Sequence, residues 1–297
     1  MKTKIISIAL AVAVMLSAVA LLSGCSDGEY PVEVANLKIE SKPENIVVLD
    51  APTADILIAT GYDRYIVGRS DEVDQKSVEV APSMGSSEKP DADKIIEAGA
   101  DLVFAGPTID ESVKNELSDK GIQVIKMSHG DTPKQVETNY ITISKICGGT
   151  KTGAKNGEDT YNDLLDKMNN YKQQVNSRNS GILDTVCYLY TEDDQLRIMS
   201  NGTYGDMLLG YTGAVNVAVN ITDNAVDVAT LRVANPNFVF YADDATLKKI
   251  KSDATLAGLG AVKNGKILEV SIEEMSRPGN TSLEALEKMV YFMYRSE

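Results

Sequence analysis

A polar stretch at residues 148–180 divides this chain into two halves, each with its own pattern of short apolar runs. Within the stretch, apolar side chains recur every three or four residues, the spacing that places them on one stripe of an α-helix. They are Tyr161, Leu164, Leu165, Met168, Tyr171 and Val175. Acidic residues lie near its start and lysines near its end, the order that complements a helix dipole. We therefore predict one amphipathic helix, from about residue 155 to 176, within a connecting segment at residues 149–180.

The first half, residues 41–148, alternates short apolar runs with longer amphipathic segments. Continuous apolar runs of about four or five residues are typical of strands buried on both faces of a parallel sheet. The predicted strands are residues 45–49, 65–68, 102–105 and 123–127, and the predicted helices are residues 52–61, 92–98, 110–120 and 133–146. Alternation of this kind predicts an α/β lobe with a parallel sheet flanked by helices.

The second half, residues 181–297, repeats the alternation. Its predicted strands are residues 185–190, 196–199, 238–241 and 267–270, and its predicted helices are residues 204–209, 226–234, 245–250 and 282–294. The predicted fold class is therefore α/β, with two Rossmann-like lobes of mainly parallel sheets joined by a single long connecting helix. Two such lobes place their strand-end loops around a shared cleft, which is the predicted binding site.

Residues 1–24 have the pattern of an export signal. Two lysines precede an apolar run, and small residues follow it immediately. The tetrad Leu22-Ser23-Gly24-Cys25 resembles the bacterial lipobox, in which the cysteine is lipidated after cleavage. A single transmembrane helix is the alternative, because an apolar run of about 18 residues lies at the lower limit for a membrane span. We predict a signal peptide at residues 1–24, a lipid anchor on Cys25 and a tether at residues 25–40.

The net charge and the reactive side chains exclude several classes of function. The formal net charge is −14, and loss of the two signal-peptide lysines makes it more negative, so nucleic acid is not an expected partner. A single histidine excludes a histidine-rich zinc site, and no Gly-x-Ser-x-Gly motif occurs, so the sequence predicts no enzyme, bound metal or cofactor. Acidic runs at residues 192–194 and 243–244 are either cation ligands or solvated loop residues. Cys147 and Cys187 are predicted to be buried free thiols, with a disulfide as the alternative.

Several short stretches, taken in their order along the chain, resemble a known family. They are PENIVVL at 43–49, IVG at 66–68, KIIEAGADLV at 94–103, DKGIQV at 119–124, VKNGK at 262–266 and SRPG at 276–279. Together with the lipobox and the connecting helix, they resemble the substrate-binding lipoproteins of ABC importers for iron-siderophores, haem and cobalamin. The resemblance implies a monomeric, non-enzymatic binding protein, anchored on the extracytoplasmic face of the cell membrane, that delivers its ligand to an ABC permease.

The resemblance also implies which residues contact the ligand, an iron-siderophore or a related chelate or macrocycle. They are Pro52, Thr53, Arg69, Asp71, Thr108 and His129 in the first lobe and Tyr190, Thr203, Tyr204, Tyr241 and Arg277 in the second. Arg277 is the leading candidate, since a guanidinium can bind a carboxylate or phosphate through two hydrogen bonds, and its alternative role is an ion pair with Glu273 or Glu274. His129 is a haem-iron ligand, a hydrogen-bonding group or a solvated loop residue.

In this family, an acidic residue near the start of one helix in each lobe binds arginines of the permease, a charge-steered contact. The matching position in the first lobe holds Asp93, with Asp91 adjacent. In the second lobe it holds Ala229, and Asp227 is the acidic residue nearby. The resemblance therefore implies docking through Asp91, Asp93 and Asp227.

The sequence alone is also compatible with three other functions. A haem- or cobalamin-binding lipoprotein of the same type fits the same features. A metal-handling enzyme on a two-lobed scaffold would need clustered ligands, which one histidine and two separated cysteines do not supply. A surface adhesion or signalling lipoprotein that has no permease is a third possibility.

Overall fold

The computed structural model describes residues 28–34, 37–177, 181 and 183–294. The predicted signal peptide and Cys25 lie outside these residues. Among the helices of the described ranges, none is both long enough and apolar enough to cross a lipid bilayer.

The elements are numbered in chain order. The strands are β1 (Val32–Val34), β2 (Leu37–Ile39), β3 (Ile46–Val48), β4 (Ile66–Arg69), β5 (Leu102–Ala105), β6 (Gln123–Lys126), β7 (Thr185–Glu192), β8 (Gln195–Ile198), β9 (Val215–Asn216), β10 (Phe238–Tyr241) and β11 (Ile267–Glu269). The helices are α1 (Ala51–Ala59), α2 (Ala92–Glu97), α3 (Glu111–Asp119), α4 (Pro133–Gly148), α5 (Ala154–Asn176), α6 (Tyr204–Tyr211), α7 (Val228–Ala234), α8 (Asp244–Ser252), α9 (Ala254–Ala257), α10 (Gly260–Lys263), α11 (Ile272–Ser276) and α12 (Asn280–Tyr294).

The N-terminal lobe is built on a parallel sheet with the strand order β4-β3-β5-β6. Its strand β3 has the sequence Ile-Val-Val, and all of its side chains are fully buried, as a strand covered on both faces requires. Asp50 follows β3 and caps α1 by accepting a hydrogen bond from the backbone N–H of Thr53. The predicted strands and helices of this lobe are confirmed to within two residues at each end.

The C-terminal lobe has the strand order β11-β10-β7-β8, with β9 paired to β7. Strand β10 runs parallel to β7 and β11, whereas β8 is antiparallel to β7. Asp193 and Asp194 form the two-residue turn between β7 and β8 and have φ values of 49° and 58°, as such a hairpin turn requires. Asp243 caps α8 by accepting from the Thr246 N–H. Both acidic runs therefore have local structural roles, in a turn and at a helix start.

The connecting helix α5 packs against both lobes. It runs back along α4, with which it is joined through a π-helical turn at Gly149–Gly153. A Cβ atom at Gly157 would clash with the carbonyl oxygen of Tyr140, so this glycine allows close approach of the two helices. The far part of α5 contacts α6 and α12 of the C-terminal lobe. The predicted apolar stripe is confirmed, since Tyr161, Leu164, Met168 and Val175 are buried.

The predicted tether differs from the described structure of residues 28–34 and 37–40. Strands β1 and β2 pair as an antiparallel hairpin, and Val32 is fully buried in the core. The Glu29 carboxylate accepts hydrogen bonds from the backbone N–H groups of Lys151 and Thr152. These contacts attach the segment to the turn between α4 and α5. Its strands have only three residues each, too few for a periodicity argument, and sequence alone does not reveal their pairing.

Candidate functional site

Two cavities lie between the lobes, and Pro52 and Ser276 line both of them. The smaller has a volume of about 330 Å³ and is named the His129 cavity. The larger has a volume of about 970 Å³ and is named the Arg277 cavity. The lining comes from loops at the carboxyl ends of β3, β4 and β6, from the end of β7 and from the segments that follow β8 and β11, as expected for open α/β sheets.

The His129 cavity has a mixed lining of aromatic, apolar and polar groups. From the N-terminal lobe it takes Pro52, His129, Gly130 and Asp131, and from the C-terminal lobe Tyr190, Glu192, Met199, Thr203, Tyr204, Gly205, Asn224, Ile272, Met275 and Ser276. Such a lining can contact the apolar body of a ligand and also hydrogen-bond its polar groups.

His129 lies beside the carboxylate of Asp50 at the wall of this cavity. Its Nδ1 atom is 3.5 Å from Asp50 Oδ1, and its side chain is 55% exposed. Asp50 is buried and also accepts a hydrogen bond of 2.6 Å from the Thr53 hydroxyl. The Asp50 carboxylate raises the pKa of His129 above its ordinary value, although partial burial opposes the shift. Asp50 thus orients the imidazole through Nδ1 and favours its charged form.

Tyr204 joins the two lobes at the same cavity. Its backbone N–H donates a hydrogen bond of 2.7 Å to the carbonyl oxygen of Asp131, which belongs to the other lobe. Its phenol oxygen lies 2.9 Å from the hydroxyl of Ser282 on α12, and the whole side chain is buried. Thr203 caps α6 by accepting from the Asp206 N–H. The start of α6 is therefore fixed at the boundary between the lobes.

Arg277 forms an ion pair across the lobes in the Arg277 cavity. Its Nε donates to Asp55 Oδ2 at 2.8 Å, its Nη2 to Asp55 Oδ1 at 3.3 Å and its Nη1 to Asp74 Oδ1 at 2.9 Å. The sequence-based alternative of an ion pair with Glu273 or Glu274 names the wrong partners. The C-terminal position of Arg277 after α11 directs its side chain toward α1 of the other lobe, and Glu274 instead pairs with Lys288.

Asp55 is the buried one of the two acidic partners of Arg277, whereas Asp74 is exposed. It lies on α1, and Gln75 Nε2 donates a further hydrogen bond of 2.9 Å to its Oδ1 atom. Burial raises the pKa of the Asp55 carboxyl, and the hydrogen bonds from Arg277 and Gln75 oppose this shift. Burial disfavours charged Arg277 as well, yet Asp55 and Asp74 hold the pKa of Arg277 above its ordinary value. Asp55 and Arg277 thus stabilise each other's charge at a position from which water is largely excluded.

The structure brings about half of the predicted ligand contacts together. Pro52, His129, Tyr190, Thr203 and Tyr204 line the His129 cavity, and Arg277 with Pro52 lines the Arg277 cavity. The other predicted contacts, which line neither cavity, are Thr53, Arg69, Asp71, Thr108 and Tyr241.

These other residues have local partners or lie elsewhere. Tyr241 is buried in the core of the C-terminal lobe, and Thr108 is exposed. Arg69 Nη1 donates to the carbonyl oxygens of Ser70 and Val73, and Asp71 accepts from the Ser83 hydroxyl. Thr53 is buried against Asp50.

Sequence reasoning missed several lining residues. They are Asp131, Glu192, Met199, Asn224, Ile272, Met275 and Ser276 in the His129 cavity and acidic and other polar residues of the loop 72–77 and of α11 and α12 in the Arg277 cavity. Asp131 could have been found, because it follows His129 by two positions in the same strand-end loop. The loop at 72–77 and the five-residue helix α11 have no periodic signal that would reveal which way they face.

The predicted docking residues lie at helix starts. Asp91 caps α2 by accepting from the Lys94 N–H, and Asp93 is exposed in the first turn of that helix. Asp227 caps α7 by accepting from the Ala229 N–H. All three side chains are thus held at the amino ends of helices.

Cys147 and Cys187 are free thiols, as predicted, and both are fully buried. Burial raises the pKa of the Cys187 thiol to about 12, which keeps it protonated near neutral pH. Among the described residues, no group of three or more His, Cys, Asp or Glu side chains is arranged to hold a metal ion.

Comparison with known proteins places the chain among binding proteins. Over 95% of its length it is 21% identical to the ABC transporter substrate-binding lipoprotein YvrC of Bacillus subtilis (strain 168), covering 96% of that protein. It is 22% identical to the petrobactin-binding protein YclQ of the same organism, over 97% of this chain and 96% of that one. The periplasmic haem-binding protein HutB of Vibrio cholerae has a similar structure, with a TM-score of 0.69 and 17% identity over 84% of this chain and 98% of that one. The sequence model of one family matches residues 46–271, and the chain therefore belongs to the periplasmic binding protein family.

Proposed function

We propose that this chain is the lipid-anchored, extracytoplasmic substrate-binding protein of an ABC importer and that it captures a ferric siderophore between its lobes. The observation that carries the proposal is the pair of cavities lined by both lobes, in a chain of the periplasmic binding protein family. Their volumes of about 330 and 970 Å³ lie in the range of ligand sites. The related protein YclQ binds petrobactin, which supports an iron chelate as the ligand.

A ligand screen tests the proposal. A compound that binds the folded chain raises its melting temperature by mass action. Ferric hydroxamates, ferric catecholates, haem and cobalamin are each added to the mature chain, and the metal-free siderophores serve as controls. We expect a ferric chelate to raise Tm by several degrees while its metal-free form does not. If no compound in the panel changes Tm, the proposed function is wrong.

Delivery requires a contact with the permease, for which Asp91, Asp93 and Asp227 are the proposed residues. Replacing each with Asn removes the charge but keeps a side chain that can cap a helix, so folding is preserved. We expect the triple Asn variant to bind ligand normally but to stimulate the ATPase of the reconstituted permease less. Glu116→Gln, an exposed change on α3, is the control.

Haem binding is the second candidate, and one observation favours it. The His129 imidazole is half-exposed at the cavity wall, with Nδ1 directed to Asp50, so Nε2 is available for iron. Haem titration followed in the Soret band decides between the two, because a histidine-ligated haem has a characteristic spectrum that His129→Ala would abolish. An unchanged spectrum in that variant would exclude His129 as the ligand.

A further inference from the structure

The lining of the two cavities carries many more carboxylates than cations. The carboxylates belong to Asp55, Glu72, Asp74, Asp131, Glu192, Glu273, Glu274 and Glu284. The cations in the same lining are Lys76 and Arg277, and His129 adds at most one more charge. A cleft with this composition has a negative potential, because low-dielectric walls concentrate the field of the charges that line them.

Arg277, the side chain best suited to an anionic ligand group, is already engaged. Its side chain is 11% exposed, and Asp55 and Asp74 accept hydrogen bonds from three of its nitrogen atoms. An incoming carboxylate or catecholate oxygen would have to reach the two remaining N–H groups of this largely buried side chain or displace one of these partners. Displacing Asp55 would leave a buried carboxylate without its counter-ion, which is strongly unfavourable.

Cations next to the lining offset only part of the negative charge. Lys288 Nζ lies 3.2 Å from Glu274 and Arg197 Nε lies 3.5 Å from Glu192. By contrast, Glu72, Asp131, Glu273 and Glu284 are exposed and form no ion pair within the part of the chain that the structure describes.

Resting on the proposed function, we propose that the cleft selects ferric chelates of neutral or positive net charge over anionic ones. In a ferric trihydroxamate the hydroxamate anions cancel the charge of the iron, and a free amine on the ligand makes the complex a cation. A ferric tris-catecholate is strongly anionic, and haem carries two propionates. The carboxylate-rich lining attracts the first class and repels the second, and Arg277 is not free to reverse this preference.

A matched ligand series tests the selection by charge. The probes are the ferric complexes of one linear trihydroxamate whose terminal amine is free, acetylated or succinylated, which carry positive, zero and negative charge on the same chelate. Calorimetric titration gives Kd for each. We expect Kd to rise by about threefold or more for each unit of charge removed at low ionic strength, since several carboxylates line the two cavities. Added salt should reduce the differences, because it screens exposed charges.

Variants identify the responsible side chains. Glu273→Gln with Glu284→Gln removes two carboxylate charges from the Arg277 cavity without changing the Arg277 ion pair. Asp131→Asn removes one carboxylate charge from the His129 cavity and keeps the backbone carbonyl that accepts the hydrogen bond from Tyr204. We expect each variant to bind the cationic probe more weakly and the anionic probe more tightly than the unmodified protein. Glu116→Gln, outside the cleft, should change the affinity for neither probe.

The outcomes separate this proposal from the proposed function. Equal or tighter binding of the anionic probe, or of a ferric tris-catecholate, would overturn the selection by charge and leave the transport function intact. Failure of every siderophore, haem and corrinoid to bind would overturn both.

Discussion

Arg277 and Asp55 form a buried ion pair that joins the two lobes, with 2.8 Å between Arg277 Nε and Asp55 Oδ2. Asp55 is on α1, whereas Arg277 follows α11, and 222 positions separate them in sequence. The side chains are 11% and 7% exposed, so little water is available to replace either partner. The pair therefore adds a buried contact between the lobes to the hydrogen bond between Tyr204 and Asp131.

Removing either member of this pair is expected to destabilise the protein. Arg277→Met leaves the Asp55 carboxylate buried without its counter-ion, and we expect a loss of about 3 kcal/mol in the free energy of unfolding. Chemical denaturation measures the loss. Asp74→Asn is the matched control, because Asp74 is 70% exposed and its contact with the same guanidinium should contribute at most about 1 kcal/mol. Equal losses in the two variants would contradict a special role for Asp55.

The pKa of His129 is expected to depend on Asp50. Because the chain has a single histidine, its imidazole gives one isolated resonance in proton NMR. The pKa of His129 lies above 6.5 in the folded state, and Asp50→Asn should lower it. Asp131→Asn should lower it by less, since Asp131 contributes only through its more distant charge. Equal pKa values of His129 in Asp50→Asn and Asp131→Asn would show that Asp50 does not cause the raised pKa.

This shift also makes stability depend on pH. The folded state holds the proton on His129 more tightly than the unfolded chain, so the stabilisation is fully present below about pH 6.5 and is lost as pH rises through the folded-state pKa. His129→Gln should remove this dependence in the window just above pH 6.5. Denaturation midpoints of both proteins across that window provide the measurement.

Gly157 is expected to tolerate no side chain. Gly157→Ala would place a Cβ atom against the Tyr140 carbonyl oxygen. Because the backbone of α4, and not a mobile side chain, would have to move, we expect the free energy of unfolding to fall by about 1–3 kcal/mol. Gly210→Ala in α6 is the control, because the space around that position is open and alanine favours a helix by about 0.5–1 kcal/mol. Thermal unfolding of the two variants should therefore change in opposite directions.

The sequence predicted the fold because its strands and long helices have strong local patterns. The continuous apolar run at β3 and the helical spacing of the apolar side chains on α5 both indicate which side chains are buried, without knowledge of any tertiary contact. The hairpin of β1 and β2 and the short helices α9 to α11 lack such patterns, because their conformation depends on pairing and capping.

The site was predicted less completely because its members come from loops of both lobes. His129 and Tyr204 were predicted from the family resemblance, which points to loops after strands, and both line the same cavity. The partner of Arg277 was not found, since nothing local links residue 277 with residue 55. An ion pair between residues of different lobes depends on how the lobes pack against each other, which no local sequence pattern reveals.

Ligand binding is expected to close the lobes by only a small angle. Helix α5 packs along α4 in the N-terminal lobe and on α6 and α12 in the C-terminal lobe, so a large rotation would have to break packed helix contacts. Small-angle X-ray scattering with and without the ferric chelate measures the change, and we expect the radius of gyration to fall by less than about 1 Å. A Gly157→Ala variant loosens the α4–α5 contact and should close further on the same ligand. A large decrease in the unmodified protein would show that α5 acts as a hinge and not as a brace.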